Sequence, residues 1–158
     1  MINENFFAWG TNEITLVKTQ SYIPLQLKEN QRHQISSAER MQAALRRDDC
    51  VGFYAVENGR NIAFALLRRF DADDFFLWNI LVDSSHQGQG KGAMFLRLLI
   101  VFLRDEYCAK IVTTTYKFGN AAAKRLYESL GFVETDIVCE DGVHEVNMEL
   151  ILSSERIS

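Results

Sequence analysis

The stretch from Cys50 to Phe70, CVGFYAVENGRNIAFALLRRF, constrains the fold more than any other part of the chain. Two runs rich in β-branched and aromatic residues flank Asn58-Gly59, the dipeptide that tolerates positive φ at both central positions of a type I′ turn. Such a pair closes as an antiparallel hairpin, so neighbouring strands in at least part of the sheet run in opposite directions. The next run, FFLWNILVD (Phe75 to Asp83), is apolar on both faces in its second half, as a central strand is. A strand of that kind needs cover on both sides.

Helical spacing supplies the cover. From Ala93 to about Arg104, apolar residues at positions 94, 95, 98, 99, 101 and 102 form a stripe for packing on a sheet, while Arg97, Arg104 and Asp105 face elsewhere. GNAAAKRLYESLG reads as a second helix, closed by Gly131 through the C-terminal glycine preference. SSAERMQAALRR reads as another, capped by Ser36 or Ser37, with Met41, Ala44 and Leu45 on one face. EITLVKT (Glu13 to Thr19) is the expected first strand and AKIVTTTY a later one. FVETDIVCEDGVHEVNMELI forms a second hairpin around Asp141-Gly142. The order is strand, helices, three strands, helix, strand, helix, two strands. That predicts a mixed α/β sheet of about seven strands and four helices, antiparallel early and crossing over through helices late. With 158 residues, one proline and nine glycines there is little material for a linker, so residues 1–158 are expected to form a single domain.

Composition excludes several classes. A formal net charge of −4 argues against a dedicated nucleic-acid binder, which carries a basic excess to neutralise phosphate. The apolar run near residue 100 is broken by Arg97 and Arg104, short of a membrane span. The start, MINENFFAWG, has no basic segment followed by an apolar one, so cytoplasmic residence is the default expectation. Cys50, Cys108 and Cys139 show neither zinc spacing nor a CxxC pair, so reduced, partly buried thiols and no metal are expected.

Between the third strand of this central group and its helix lies HQGQGKGAMF (His86 to Phe95), with glycine at positions 88, 90 and 92. A nucleoside triphosphate P-loop fails on spacing, because it needs four residues between its glycines and a Ser or Thr after the lysine, where this chain has Gly92. Gly88, Gly90 and Ala93 satisfy the dinucleotide pattern G-x-G-x-x-G/A. That motif also wants an acidic residue about twenty positions on, and KIVTTTYK supplies none. A third reading is a pyrophosphate cradle, in which glycines let successive backbone N–H groups approach anionic oxygens at a helix N-terminus. Gln87 and Gln89 would add neutral donors there, and Lys91 a charge. A plain strand-to-helix turn with no ligand remains the bland alternative, though it needs one glycine rather than three.

These residues resemble the signature of the GCN5-related N-acetyltransferases, Q/R-x-x-G-x-G/A after a central strand, matched by Gln87-Gly88-Gln89-Gly90-Lys91-Gly92. A second family segment, an Asn opening a helix with Ala three on, Tyr seven on and a closing Gly-Phe, is similar to Asn120, Ala123, Tyr127, Gly131 and Phe132. The resemblance runs from about Cys50 to Leu150. It implies a sheet splayed between its fourth and fifth strands, with acetyl-CoA as co-substrate in the opening. The backbone of Ile80, Leu81 and Val82 would pair with the pantetheine arm, and Gln87 to Gly92 would hold the pyrophosphate. Asn120 would hydrogen-bond the arm or the phosphates. Tyr127 would be the general acid that protonates the departing thiolate, since a phenol and an alkyl thiol have comparable pKa values; a plain core tyrosine is the alternative. A backbone N–H near Leu81 is the natural donor to a developing oxyanion.

The acceptor implied by the resemblance is a small-molecule amine. FFLWNILVDSSHQGQGKG looks like the corresponding stretch of bacterial spermine/spermidine acetyltransferases, which points to a polyamine. Phe75, Phe76 and Trp78 would line a channel for an aliphatic cation, with negative potential from Asp71, Asp73 and Asp74. Asp74 and Glu145 are the carboxylates considered as general base. Another primary amine, such as an amino sugar, an antibiotic or a protein N-terminus, is the alternative acceptor. A non-catalytic acetyl-CoA sensor is a reading from a different class. Family members of this size often pair, so a homodimer is an expectation, with no interface located.

Overall fold

The computed structural model describes residues 6–7, 14–32 and 35–152. The expected strand start at Glu13 and both ends of the expected domain lie outside these residues. In chain order the elements are β1 (Phe6–Phe7), β2 (Thr15–Thr19), α1 (Glu29–Arg32), α2 (Ala38–Leu45), β3 (Cys50–Glu57), β4 (Arg60–Asp71) and β5 (Asp74–Val82). A 3-10 turn (Ser84–His86), α3 (Lys91–Glu106), β6 (Ile111–Lys117), α4 (Ala121–Ser129), β7 (Val133–Glu140) and β8 (Val143–Ile151) complete the set. All strands lie in one sheet of order β1-β2-β3-β4-β5-β6-β8-β7. Seven are of ordinary length, and β1 is a two-residue edge segment.

The hairpins close where the sequence predicts. Asn58 and Gly59 have φ of 50° and 76°, and Asp141 and Gly142 of 51° and 78°, the doubly positive geometry of the type I′ turn. Ser37, not Ser36, caps α2, accepting from Arg40 N at 3.2 Å. Every neighbouring pair is antiparallel except β5 and β6, which run parallel because α3 makes the crossover between them.

That parallel pair is short. It joins Asp74–Leu77 to Ile111–Thr114 and stops, although both strands continue. The cause lies in β5. Opposite the step from Leu66 to Leu67, β4 faces Asn79 and then Leu77, so Trp78 is an extra residue, a β-bulge that bends and twists the strand away from its neighbour. Among the seven longer strands these are the fourth and fifth, and their divergence is the expected splay.

The bulge also exchanges the faces of β5. Before it, Phe75 and Leu77 enter the core formed with α3 and α4; after it, Ile80 and Val82 pack there, while Leu81 joins the core under α2. The α2 core contains Met41, Ala44, Leu45, Tyr54, Phe64 and Leu66, with Tyr22 stacked against Phe64 at 4.8 Å. Burying a side chain of this size contributes about 1.5–3 kcal/mol, so both cores hold β5 firmly just where it leaves β6. Among the described residues no helix is long and apolar enough to cross a membrane.

Candidate active site

Past Leu77 and Thr114 the opening between β5 and β6 widens into a groove of about 660 Å³, walled by α1, the segment before α2, and α4. Trp78, Asn79 and Ile80 line one side, and Thr115, Tyr116 and Lys117 the other. Tyr127 lies at the base. It projects from α4 and is 5 % exposed. Thr114 is itself buried and donates from Oγ1 to Leu77 O at 3.0 Å, on the last paired rung of the two strands. Burial raises the Tyr127 phenol above its ordinary 10.0, and the Thr114 hydroxyl offsets part of that. The group therefore keeps its proton at neutral pH and can give it to a strong base that forms in the groove.

Asn120 caps α4, accepting from Ala123 N at 3.2 Å through Oδ1. Since the carbonyl oxygen is so used, the NH₂ group is the donor it can offer to the groove it lines. Along β5 the backbone alternates between its two neighbours. The carbonyl of Val82 turns to the open side, where Gln87 Nε2 donates to it at 3.0 Å. Ile80, two residues earlier, points the same way, and Leu81 points to β4 opposite Phe64. The Val82 carbonyl is thus already engaged, and Ile80 is the residue whose backbone faces the open side for a ligand, next to the expected donor near Leu81.

In the glycine loop, Gly88 and Gly90 have φ of 77° and 74°, the left-handed region, and Gly90 forms the N-cap of α3. Their surroundings are open, with no atom within 4 Å of where a Cβ would stand. At Gly92 a Cβ would meet Val82 Cγ2 at 3.3 Å, so the helix start sits tightly on the end of β5. Open left-handed glycines at a helix N-terminus follow Gln87, which lines the groove with Ile80. The arrangement fits an elongated ligand with a pyrophosphate at one end and amides along its length.

Three loop side chains are engaged elsewhere. Gln87 is hydrogen-bonded to Gln31 as well as to Val82 O, and Gln89 Nε2 donates to Ser85 O at 3.3 Å. Lys91 Nζ meets Glu57 Oε2 at 2.7 Å, tying α3 to the end of β3. The backbone of this loop, more than its side chains, is what remains for an anion.

The expected acceptor residues separate. Trp78, 38 % exposed, lines the groove, as do Phe76 and Glu145. Phe75 does not: it is fully buried and stacks on Tyr107 at 5.7 Å. Asp74 lies with Asp71 and Asp73 at the closed end of the splay, outside the groove lining, and Lys110 meets Asp73 there at 3.7 Å. Burial, then the charges of Asp71, Asp73 and Glu149, raises the Asp74 carboxyl above its ordinary range. The charged residues that do line the groove are Arg40, Lys117 and Glu145.

Several groove residues were not singled out in the sequence, Arg40, Tyr116 and Lys117 among them, and Asn79 is the most deeply buried. Asn79 is 5 % exposed; its Oδ1 accepts from Ser36 N at 2.9 Å and its Nδ2 donates to Ser36 Oγ at 3.1 Å. This pair pins the segment before α2 against the groove. An asparagine inside an otherwise apolar strand was the available signal, because a buried amide must find partners.

Comparison with known proteins agrees with this geometry. The model of the acetyltransferase (GNAT) family matches residues 18–132. The ribosomal protein bS18-alanine N-acetyltransferase of Escherichia coli (strain K12) is 36 % identical over 112 residues, covering 69 % of this chain and 72 % of that protein. A GNAT family acetyltransferase from Elizabethkingia anophelis, solved with acetyl-CoA bound, superposes with a TM-score of 0.72 at 19 % identity, covering 90 % of this chain and 100 % of that one. Spermidine N-acetyltransferase from Vibrio cholerae, solved with CoA and spermine, gives a TM-score of 0.63 at 17 % identity over 72 % of each chain. With more than half of its length matched by the family model, a splayed β5–β6 pair and a glycine loop opening α3, the chain belongs to the acetyltransferase (GNAT) family.

Proposed function

We propose that this protein transfers the acetyl group of acetyl-CoA to the α-amine at the start of a polypeptide, with Tyr127 as general acid. The observation that carries the reading is the position of Tyr127, buried yet lining an open groove at the point where β5 and β6 part. Acetyl-CoA, when bound, supplies an acyl group activated as a thioester. The open edge at Ile80 and the NH₂ group of Asn120 would hold its arm. The backbone at Gly88 to Gly92 would hold its pyrophosphate. As the acceptor nitrogen bonds to the acyl carbon and the C–S bond breaks, Tyr127 Oη gives its proton to the departing sulfur. The acceptor nitrogen sheds a proton toward Glu145, the carboxylate that lines the groove.

Charge supports a peptide over a polyamine. Among the described residues, two cations, Arg40 and Lys117, and one acid, Glu145, line the groove. A polycation gains little there, whereas a peptide presents one ammonium group and then a row of carbonyl oxygens. The relative that is 36 % identical is named for acetylating an alanine of a ribosomal protein, which favours the same class. Trp78 in the groove is the feature that keeps a polyamine in the comparison.

Release of coenzyme A thiol, measured with an alanine-initiated peptide, spermidine and spermine in parallel, tests the acceptor. Preference for the peptide is expected; preference for spermidine would replace it, and tight acetyl-CoA binding without turnover on any amine would favour a sensor. Tyr127→Phe is expected to lower kcat by roughly 100-fold or more while acetyl-CoA affinity stays within about threefold. An unchanged kcat would remove Tyr127 from the chemistry.

A further inference from the structure

The charges along the groove are not evenly matched. Lys117 on β6 stands directly opposite Glu145 on β8, and opposite charges at facing positions of neighbouring strands offset each other. Arg40 is the lining charge that is left over. It is exposed, and among the described residues no ion pair engages it. Its backbone is nonetheless fixed. Ser36 N donates to Asn79 Oδ1 at 2.9 Å, Asn79 Nδ2 donates to Ser36 Oγ at 3.1 Å, and Arg40 N donates to the Ser37 cap at 3.2 Å. The start of α2 is thus anchored to β5 through a buried amide, and Arg40 is carried with it. Earlier in the same segment, Gln31 meets Gln87, which is bonded to Val82 O. From Gln31 to Ser36 the chain therefore follows β5 from Val82 back to Asn79, away from the glycine loop, before α2 begins.

We propose that Arg40 selects acceptor peptides that carry an aspartate or glutamate at the second or third position, its guanidinium pairing with that carboxylate while the terminal amine lies near Tyr127. Both residues line the one groove. Its 660 Å³ is about 9 Å across if equal in every direction, the reach of two or three extended residues. A single short peptide can therefore place its amine beside one residue and an early side chain beside the other. The planar guanidinium fork matches the two oxygens of a carboxylate, whereas a peptide carbonyl offers a single oxygen with a partial charge. A basic side chain at the same place meets Arg40 as a like charge and is rejected. The inference rests on the peptide reading of the acceptor and narrows it to acidic amino termini.

Coenzyme A release is measured with alanine-initiated peptides that differ only in having Asp, Asn or Lys at the second position, with the same set at the third position, and with spermidine. At one of the two positions the Asp peptide should exceed the Asn peptide about tenfold or more in kcat/KM, the worth of a hydrogen bond to a charged group. The ratio should shrink as salt is raised, and the Lys peptide should be the poorest. Arg40→Gln should bring Asp and Asn within about threefold, Arg40→Lys should keep part of the preference, and Arg40→Glu should make the Lys peptide the best. Thermal melts check the fold, and where Arg40→Glu fails to fold, Arg40→Gln decides. Equal rates for Asp and Asn at both positions, or a preference that survives Arg40→Gln, would overturn this proposal alone. So would a loss in Arg40→Gln confined to KM for acetyl-CoA, which would place Arg40 at the cofactor. Turnover of spermidine and no peptide, or of no amine at all, would overturn the peptide reading and this proposal with it.

Discussion

Cys50 stands beside the Asp49 carboxylate at the start of β3, and its thiol is pushed up from 9.0 to about 11, first by burial and then by its 3.5 Å hydrogen bond to Asp49. The thiolate is the reactive form, so a shift of that size leaves roughly a hundredfold less of it at neutral pH. Cys108 and Cys139, expected to be partly buried like Cys50, are exposed, because Cys108 follows the end of α3 and Cys139 lies on the edge strand β7. Alkylation with iodoacetamide near neutral pH, followed by mass spectrometry, should modify those two first and Cys50 at least tenfold more slowly; equal rates would contradict the described setting of Asp49. Legibility at this scale was uneven. Tyr127 and Asn120 were readable because they sit at fixed spacing on one helix, where seven residues bring two side chains to the same face. Lys91 was legible as a cation near a loop but not as the partner of Glu57, which lies in a hairpin 34 residues earlier.

Among the elements, β5 decides most. Its alternation reads correctly up to Leu77, and then one extra residue reverses every face that follows. Deleting Trp78 makes Leu77 and Asn79 consecutive, so β5 pairs with β4 as a regular ladder, every later residue keeps its present face, and what is lost is the bend that parts β5 from β6. The deletion variant should therefore still unfold cooperatively by circular dichroism but lose at least about tenfold in coenzyme A release, whereas Trp78→Phe, which keeps the residue count, should stay within about threefold of the wild type. A deletion variant as active as Trp78→Phe would show that the bulge is dispensable. Phe75, expected in the groove, lies before the bulge and shares the core face of Leu77, opposite to Phe76. No local pattern marks which residue of an apolar run is the inserted one.

In the molecule as a whole, the sheet ends on β7, where all eight residues are exposed, Val133, Ile137 and Val138 among them. An edge with free backbone groups invites pairing, and charges on it oppose that. Glu134, Asp136 and Glu140 supply three acids; Glu134 is held by Tyr116 at 2.6 Å, while Asp136 and Glu140 stand on exposed stretches of the strand. Asp136→Thr with Glu140→Thr raises strand propensity and removes both charges. The double variant should self-associate at concentrations where the wild type does not change mass, as read by light scattering; identical masses would mean that the acids do not guard this edge. The sequence by itself determined the element order, both type I′ turns, the glycine loop and the Asn120–Tyr127 helix, because each depends on residues a few positions apart. Only the tertiary structure decided which side chains of β5 face the groove. It also put the acids at 71, 73 and 74 at the closed end and brought Tyr127 into the groove between the parted strands. Those outcomes depend on strand register and on contacts between distant segments, where a single bulge changes the partner of every residue beyond it.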